Sequence, residues 1–148
     1  MITIRPFEAS DQQAARWLIL SGLGEHFGYI DESLNPDIDD IMSNYITAGH
    51  VFIIAQSGEN MVGTGALLIK DAVVGRIVRM SVSSAHRRRG IGKAIVEHLI
   101  AIARQRGLRR LLVETNNNWF NAIGLYKHLG FSEYERDSES VHMALNLS

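Results

Sequence analysis

The chain has 148 residues, 46% hydrophobic and 21% charged, with no cysteine and a formal net charge of −1. That length and apolar content suit a single domain over residues 1–148 and exclude a disordered chain. Disulfides, thiolate catalysis and cysteine-ligated zinc are excluded as well.

No apolar run reaches the ~18 residues of a membrane helix. The N-terminus lacks a basic stretch followed by an apolar one. A cytoplasmic protein with no membrane partner is expected. The small net charge hides an asymmetry: residues 1–69 hold two basic side chains against nine acidic ones, and residues 70–148 hold thirteen against seven. An acidic front and a basic back predict two different surfaces, the second suited to an anionic ligand.

Ile2-Thr3-Ile4-Arg5 alternates and Pro6 ends the pairing, which predicts a short first strand. A helix is expected over residues 9–20, with Ala14, Ala15, Leu18 and Ile19 on its apolar face and Gly22, Gly24 and Gly28 breaking it. The acidic stretch 31–40 opens a second helix through Ile38, Ile41, Met42, Tyr45 and Ile46. The period then changes. Residues 51–55 are continuous and largely β-branched, 58–60 form a turn, and 62–69 and 73–82 read as strands joined through Lys70 and Asp71. Three successive strands with short connections predict an antiparallel meander. Residues 91–106 form the strongest amphipathic helix, with Gly107 just past its end. Leu111-Leu112-Val113 is a buried strand, 122–129 a short helix stopped by Gly130, and 131–135 with 140–145 a closing hairpin. The order β-α-α-β-β-β-α-β-α-β-β predicts an α/β fold with a mixed, mostly antiparallel central sheet flanked by helices.

The chemistry concentrates after the strand that ends at Val82. There Arg87-Arg88-Arg89-Gly90-Ile91-Gly92-Lys93 leads into the long helix. Glycines let a backbone turn tightly and bring its N–H groups close to a ligand. Those groups sit at a helix N-terminus, where first-turn donors lack partners and the dipole end is positive. The combination binds phosphate oxygens. Arg87, Arg88, Arg89 and Lys93 cluster where the dipole disfavours cations, so an anion is needed to balance them. The glycine spacing matches neither a P-loop nor a Rossmann fingerprint. Nucleic acid is a poor fit, because the pI is about 6.6 and no basic stripe or interleaved aromatics accompany the turn.

Arg87-x-x-Gly90-x-Gly92 between a strand and an amphipathic helix resembles the acetyl-CoA-binding motif of the GNAT N-acetyltransferase superfamily. The resemblance continues through Leu111-Leu-Val-Glu114 and Ala122-Ile-Gly-Leu-Tyr126-Lys-His-Leu-Gly130-Phe131, and the element order also matches. It implies an acyltransferase that uses acetyl-CoA. The fourth and fifth strands of such a fold splay, and the pantetheine arm enters the gap like an added strand. By that likeness, backbone groups of Met80 and Val82 would bond pantetheine, with the Val82 amide near the acetyl carbonyl. Backbone N–H groups from Arg88 to Lys93, including Ile91, would cradle the pyrophosphate.

Tyr126 matches the family's tyrosine near the CoA sulfur, a general acid for the departing thiolate. The same side chain, on an apolar face, could simply be core, but the flanking pattern favours the functional role. Glu114, at the end of the fifth strand, resembles the general base of the branch that acetylates N-terminal alanines; a solvated strand-end glutamate, or a partner for Arg109 or Arg110, is the other reading. Where the family has Asn-x-x-Ala, Trp119 stands three residues before Ala122, so Asn121 is the substitute contact to CoA.

The six histidines show no metal-ligand spacing, and no metal is expected. The acceptor is expected to be a small-molecule amine or a protein or peptide amine. Glu25, Asp31, Glu32, Asp37, Asp39 and Asp40, beside Phe27 and Tyr29, suit a positively charged one. The family often forms homodimers, and the oligomeric state stays open. The alternatives are a non-catalytic acyl-CoA sensor that kept the turn and a nucleic-acid module using Arg87, Arg88 and Arg89.

Overall fold

The computed structural model describes residues 1–147. Its centre is one seven-stranded sheet built from β1 (Ile2–Pro6), β2 (Val51–Ser57), β3 (Asn60–Ile69), β4 (Val74–Val82), β5 (Arg110–Asn116), β6 (Ser132–Arg136) and β7 (Ser140–Asn146). The strand order is β1-β2-β3-β4-β5-β7-β6. Among the described residues only β4 and β5 pair in parallel; the other neighbours are antiparallel, and short turns join β2 to β3, β3 to β4 and β6 to β7. The helix α2 (Ile91–Gln105) makes the crossover between the parallel pair, and α1 (Gln12–Phe27) and α3 (Phe120–His128) complete the layers.

Alternation along the strands divides the core in two. Ile53, Ala55, Leu67, Ile77, Leu111 and Val113 pack with Ile95 and Leu99 of α2 on one face. Phe52, Ile54 and Ala66 pack with Ala15, Ile19 and Leu20 of α1 on the other. With both faces covered, β2 reads as a continuous apolar run rather than an alternating one.

Two expectations change. The first helix does not break at Gly22 and Gly24; α1 continues to Phe27, after a 3-10 turn over Ala9–Asp11. Both glycines serve close packing. A Cβ at Gly22 would lie 3.0 Å from the Ser81 hydroxyl, and one at Gly24 would lie 2.5 Å from the Ile30 side chain. Gly28 is the real stop, in the left-handed region at φ 85. The second helical segment is a 3-10 helix over Pro36–Asp40 followed by a π-helix over Met42–Thr47. Ile38, Ile41 and Tyr45 are all buried, so the three- and four-residue spacing of an apolar helical face is kept although the backbone is wound as 3-10 and π turns.

Candidate functional site

The parallel pairing of β4 with β5 is short. It runs from Val74 opposite Arg110 to Ile77 opposite Val113 and then stops, while β4 continues to Val82 and β5 to Asn116. The two strands therefore diverge at their C-terminal ends. A break in register accompanies the divergence: Thr64 faces Ser81 and Ala66 faces Val78, so Arg79 and Met80 together oppose Gly65. This is a β-bulge, and it re-aims the strand. Arg79 takes a positive φ of 55°, a costly conformation for a side chain of its size. Three contacts hold it. The buried Thr64 hydroxyl donates to the Arg79 carbonyl at 2.8 Å, the Arg79 guanidinium donates to both Asp37 carboxylate oxygens, and the Tyr45 hydroxyl donates to Asp37 at 2.6 Å. Burial would raise the Asp37 carboxyl, but Arg79 and Tyr45 outweigh it and hold it below the usual carboxylate range.

The glycine turn stands where β4 ends. Arg88 and Gly90 both adopt positive φ, 63° and 77°, and no side chain caps α2. Consecutive amides in such a conformation form an anion-binding concavity. Nothing lies within 4 Å of a Cβ built on Gly90, so the space above that backbone is open. Among the described residues, Arg88, Arg89 and Lys93 have no ion-pair partner. Arg87 has one, Glu25 at the end of α1, at 2.7 Å. Gly92 marks where three elements meet: a Cβ there would lie 3.4 Å from Leu125 of α3 and 3.8 Å from Val82 of β4.

Tyr126 follows Leu125 on α3. It is 4% exposed and packs edge-on against Phe131, with ring centroids 5.5 Å apart. Burial alone pushes its phenol above the ordinary tyrosine range, so it stays protonated well into the alkaline range. Asn121 is exposed in the first turn of α3, after Trp119 at the N-cap. Asn117 is spoken for: its side-chain amide donates to the Ser138 carbonyl at 2.8 Å, tying the β5–α3 loop to the β6–β7 turn.

Glu114 lies within β5, not at its end, and neither Arg109 nor Arg110 is its partner. It sits opposite His142 of β7, whose Nδ1 is 3.5 Å from its Oε1. Leu111 and Val113 point into the α2-side core, so Glu114 projects from the opposite face, the one that carries α1.

The acidic stretch after α1 is not a free anionic wall. Glu25 pairs with Arg87, Glu32 and Asp39 both pair with Arg16, and Asp37 pairs with Arg79. Asp31 and Asp40 hold turns by accepting from Ser33 and Ser43. Beside these residues is a largely apolar groove of about 260 Å³ lined by Leu20, Leu23, Phe27, Tyr29, Ile30 and Leu34, with Asp31 and Asn35 as its polar members.

The sequence profile of the acetyltransferase (GNAT) family matches residues 12–131. The chain belongs to this family. It is 36% identical to human N-acetyltransferase 8B over 111 residues, which is 71% of the chain and 49% of that protein. The chain thus spans about half the length of the curated relatives it matches. A GNAT acetyltransferase from Staphylococcus aureus Mu50 superposes with a TM-score of 0.91 at 25% identity over 100% of both chains. The PaiA N-acetyltransferase of Thermoplasma acidophilum, solved in complex with coenzyme A, superposes with a TM-score of 0.87 at 14% identity over 99% of each.

Some parts of this GNAT site carry no local signal in the sequence. Asp37 and Arg79 are 42 residues apart, Glu25 and Arg87 are 62 apart, and only the fold brings them together. The stack of His26 on Trp119, with centroids 4.2 Å apart and planes 12° from parallel, is equally non-local. The bulge has a faint trace: Arg79 is the one charged residue in the mostly apolar stretch Ile77–Val82, the mark of a side chain with a distant partner.

Proposed function

We propose that the protein transfers the acetyl group of acetyl-CoA to a primary amine by direct attack. The observation that carries this reading is the divergence of β4 from β5 above an uncapped α2 N-terminus with unpaired cations. The gap leaves backbone groups of β4 without strand partners, and an extended pantetheine arm can take their place, as a peptide adds to a sheet edge. Met80 and Val82 would supply those groups, and the Val82 amide would polarise the thioester carbonyl. The amides from Arg88 to Lys93 would hold the pyrophosphate, with Arg87, Arg88, Arg89 and Lys93 supplying charge and Asn121 a side-chain contact. The open space above Gly90 suits a phosphate resting on the backbone.

In this reading Glu114 takes the ammonium proton, directly or through water. The amine nitrogen bonds to the acetyl carbon, the carbon–sulfur bond breaks, and Tyr126 protonates the thiolate. The second proton shed by the nitrogen as the amide forms restores the Tyr126 phenol, so the net products are amide, free thiol and the one proton held by Glu114. A phenol raised by burial is neutral at physiological pH and so able to give that proton. The largely apolar groove beside α1 favours an amine attached to an apolar or aromatic group over a polycation, because Glu25, Glu32, Asp37 and Asp39 already have arginine partners and Asp31 is the one carboxylate in its lining. The test is acetyl-CoA consumption against polyamines, aminoglycosides, amino acids and N-terminal peptides. Turnover fastest with apolar amines supports both parts. Preference for polyamines overturns the acceptor assignment, and no turnover with any amine overturns the enzyme.

A further inference from the structure

Glu114 belongs to a row of ionisable side chains that crosses three adjacent strands. On β7, His142 stands opposite Glu114 of β5 and opposite Glu135 of β6. Its two ring nitrogens face different partners: Nδ1 is 3.5 Å from Glu114 Oε1, and Nε2 is 3.8 Å from Glu135 Oε2 and 3.7 Å from Asp137 Oδ2. Tyr134, the remaining neighbour, has its ring 6.1 Å from the imidazole and carries Arg110 over its far side at 5.2 Å.

Exposure is graded along the row. The His142 side chain is 15% exposed, Glu114 41%, Asp137 58% and Glu135 66%. Val141 and Met143 point into the core, which holds the strand in place and fixes the face on which His142 stands.

We propose that His142 is a positioning residue for Glu114 and carries its proton outward to Glu135, Asp137 and bulk water. This rests on the reading of Glu114 as the base. The proton leaves the ammonium for Glu114, and Glu114 then gives it to one ring nitrogen. The other ring nitrogen gives one up to the outer carboxylates, and Glu114 is left ionised for the next turnover. One proton enters at Nδ1 and one leaves from Nε2, so the imidazole stays neutral but ends as the other tautomer, and proton exchange with water restores the first before the next turnover. Distances of 3.5–3.8 Å are bridged by small side-chain movement or one water at each gap.

The experiment compares kcat/KM against pH for wild type, His142→Gln, His142→Ala and Glu114→Gln, with acetyl-CoA affinity measured for each. The expected result is a loss of at least ~10-fold in both His142 variants at unchanged acetyl-CoA Kd. Their pH profile should depart from that of wild type, because no imidazole accepts the proton from Glu114. Added imidazole should restore His142→Ala and leave Glu114→Gln unrescued. If His142→Gln matches wild type in rate and profile while Glu114→Gln is impaired, the relay is wrong and the base stands. If Glu114→Gln itself leaves rate and profile unaltered, the base assignment falls and the relay with it.

Discussion

At the scale of single residues, the proposed chemistry depends on how burial sets protonation. Tyr126 is enclosed by the α2-side core, and the cost of charging it there keeps the phenol neutral. Two outcomes follow. Tyr126→Phe should leave acetyl-CoA affinity near wild type and lower kcat by ~10²-fold or more, measured by steady-state turnover beside calorimetry. In the wild type, kcat should show no alkaline fall caused by Tyr126 up to about pH 10, since a raised phenol is still protonated there. An early alkaline limb that disappears in Tyr126→Phe would place the phenol in the ordinary range and contradict the burial argument. Gly90 and Tyr126 were legible from the chain because their signals are local: a turn residue beside a helix start, and a tyrosine at fixed spacing from Gly130 and Phe131. The partner of Glu114 was not, because strand pairing between residues 28 apart decides it.

At the scale of elements, the end of α1 is the part that ties the two sides of the cleft together. Glu25 holds Arg87 on the β4–α2 turn, and His26 stacks on Trp119 at the start of α3. Arg87 is about half-exposed, so the pair is worth at most ~1 kcal/mol. Glu25→Gln should therefore free Arg87 for phosphate and tighten acetyl-CoA binding by up to ~5-fold, most visibly at low salt. Weaker binding in that variant would mean that Glu25 positions Arg87 for the cofactor instead of competing for it. The bulge of β4 depends on the Asp37 network in the same way. Arg79→Met should cost about 1–3 kcal/mol in chemical unfolding, because it strands a half-buried carboxylate. Neither contact could be read from periodicity. What could be read was the strand and helix sequence itself, since each strand alternates or runs apolar according to whether one or both of its faces are covered.

At the scale of the whole molecule, two arginine-paired carboxylates, Asp11 and Asp37, set its acid stability. The Arg5 hydrogen bond holds Asp11 below its ordinary range, and Arg79 and Tyr45 hold Asp37 there against burial. Folded carboxyls lowered in this way contribute stability above ~pH 4, and that contribution is lost as pH falls through their lower folded values. The melting temperature should thus be level from pH 7 to about 5 and fall below about 4. Asp11→Asn and Asp37→Asn should each lower the plateau and flatten the acid fall. The sheet order, with β7 inserted between β5 and β6, lay beyond the sequence, because a closing hairpin can pair through either of its strands. The most direct test of the account is a calorimetric titration of acetyl-CoA into the wild type, Gly90→Val, Arg88→Gln and Arg89→Gln. Binding to the α2 turn predicts that Gly90→Val weakens affinity by ~10-fold or more, and by more than either arginine change. Unchanged affinity in Gly90→Val, or no binding to the wild type, would contradict it.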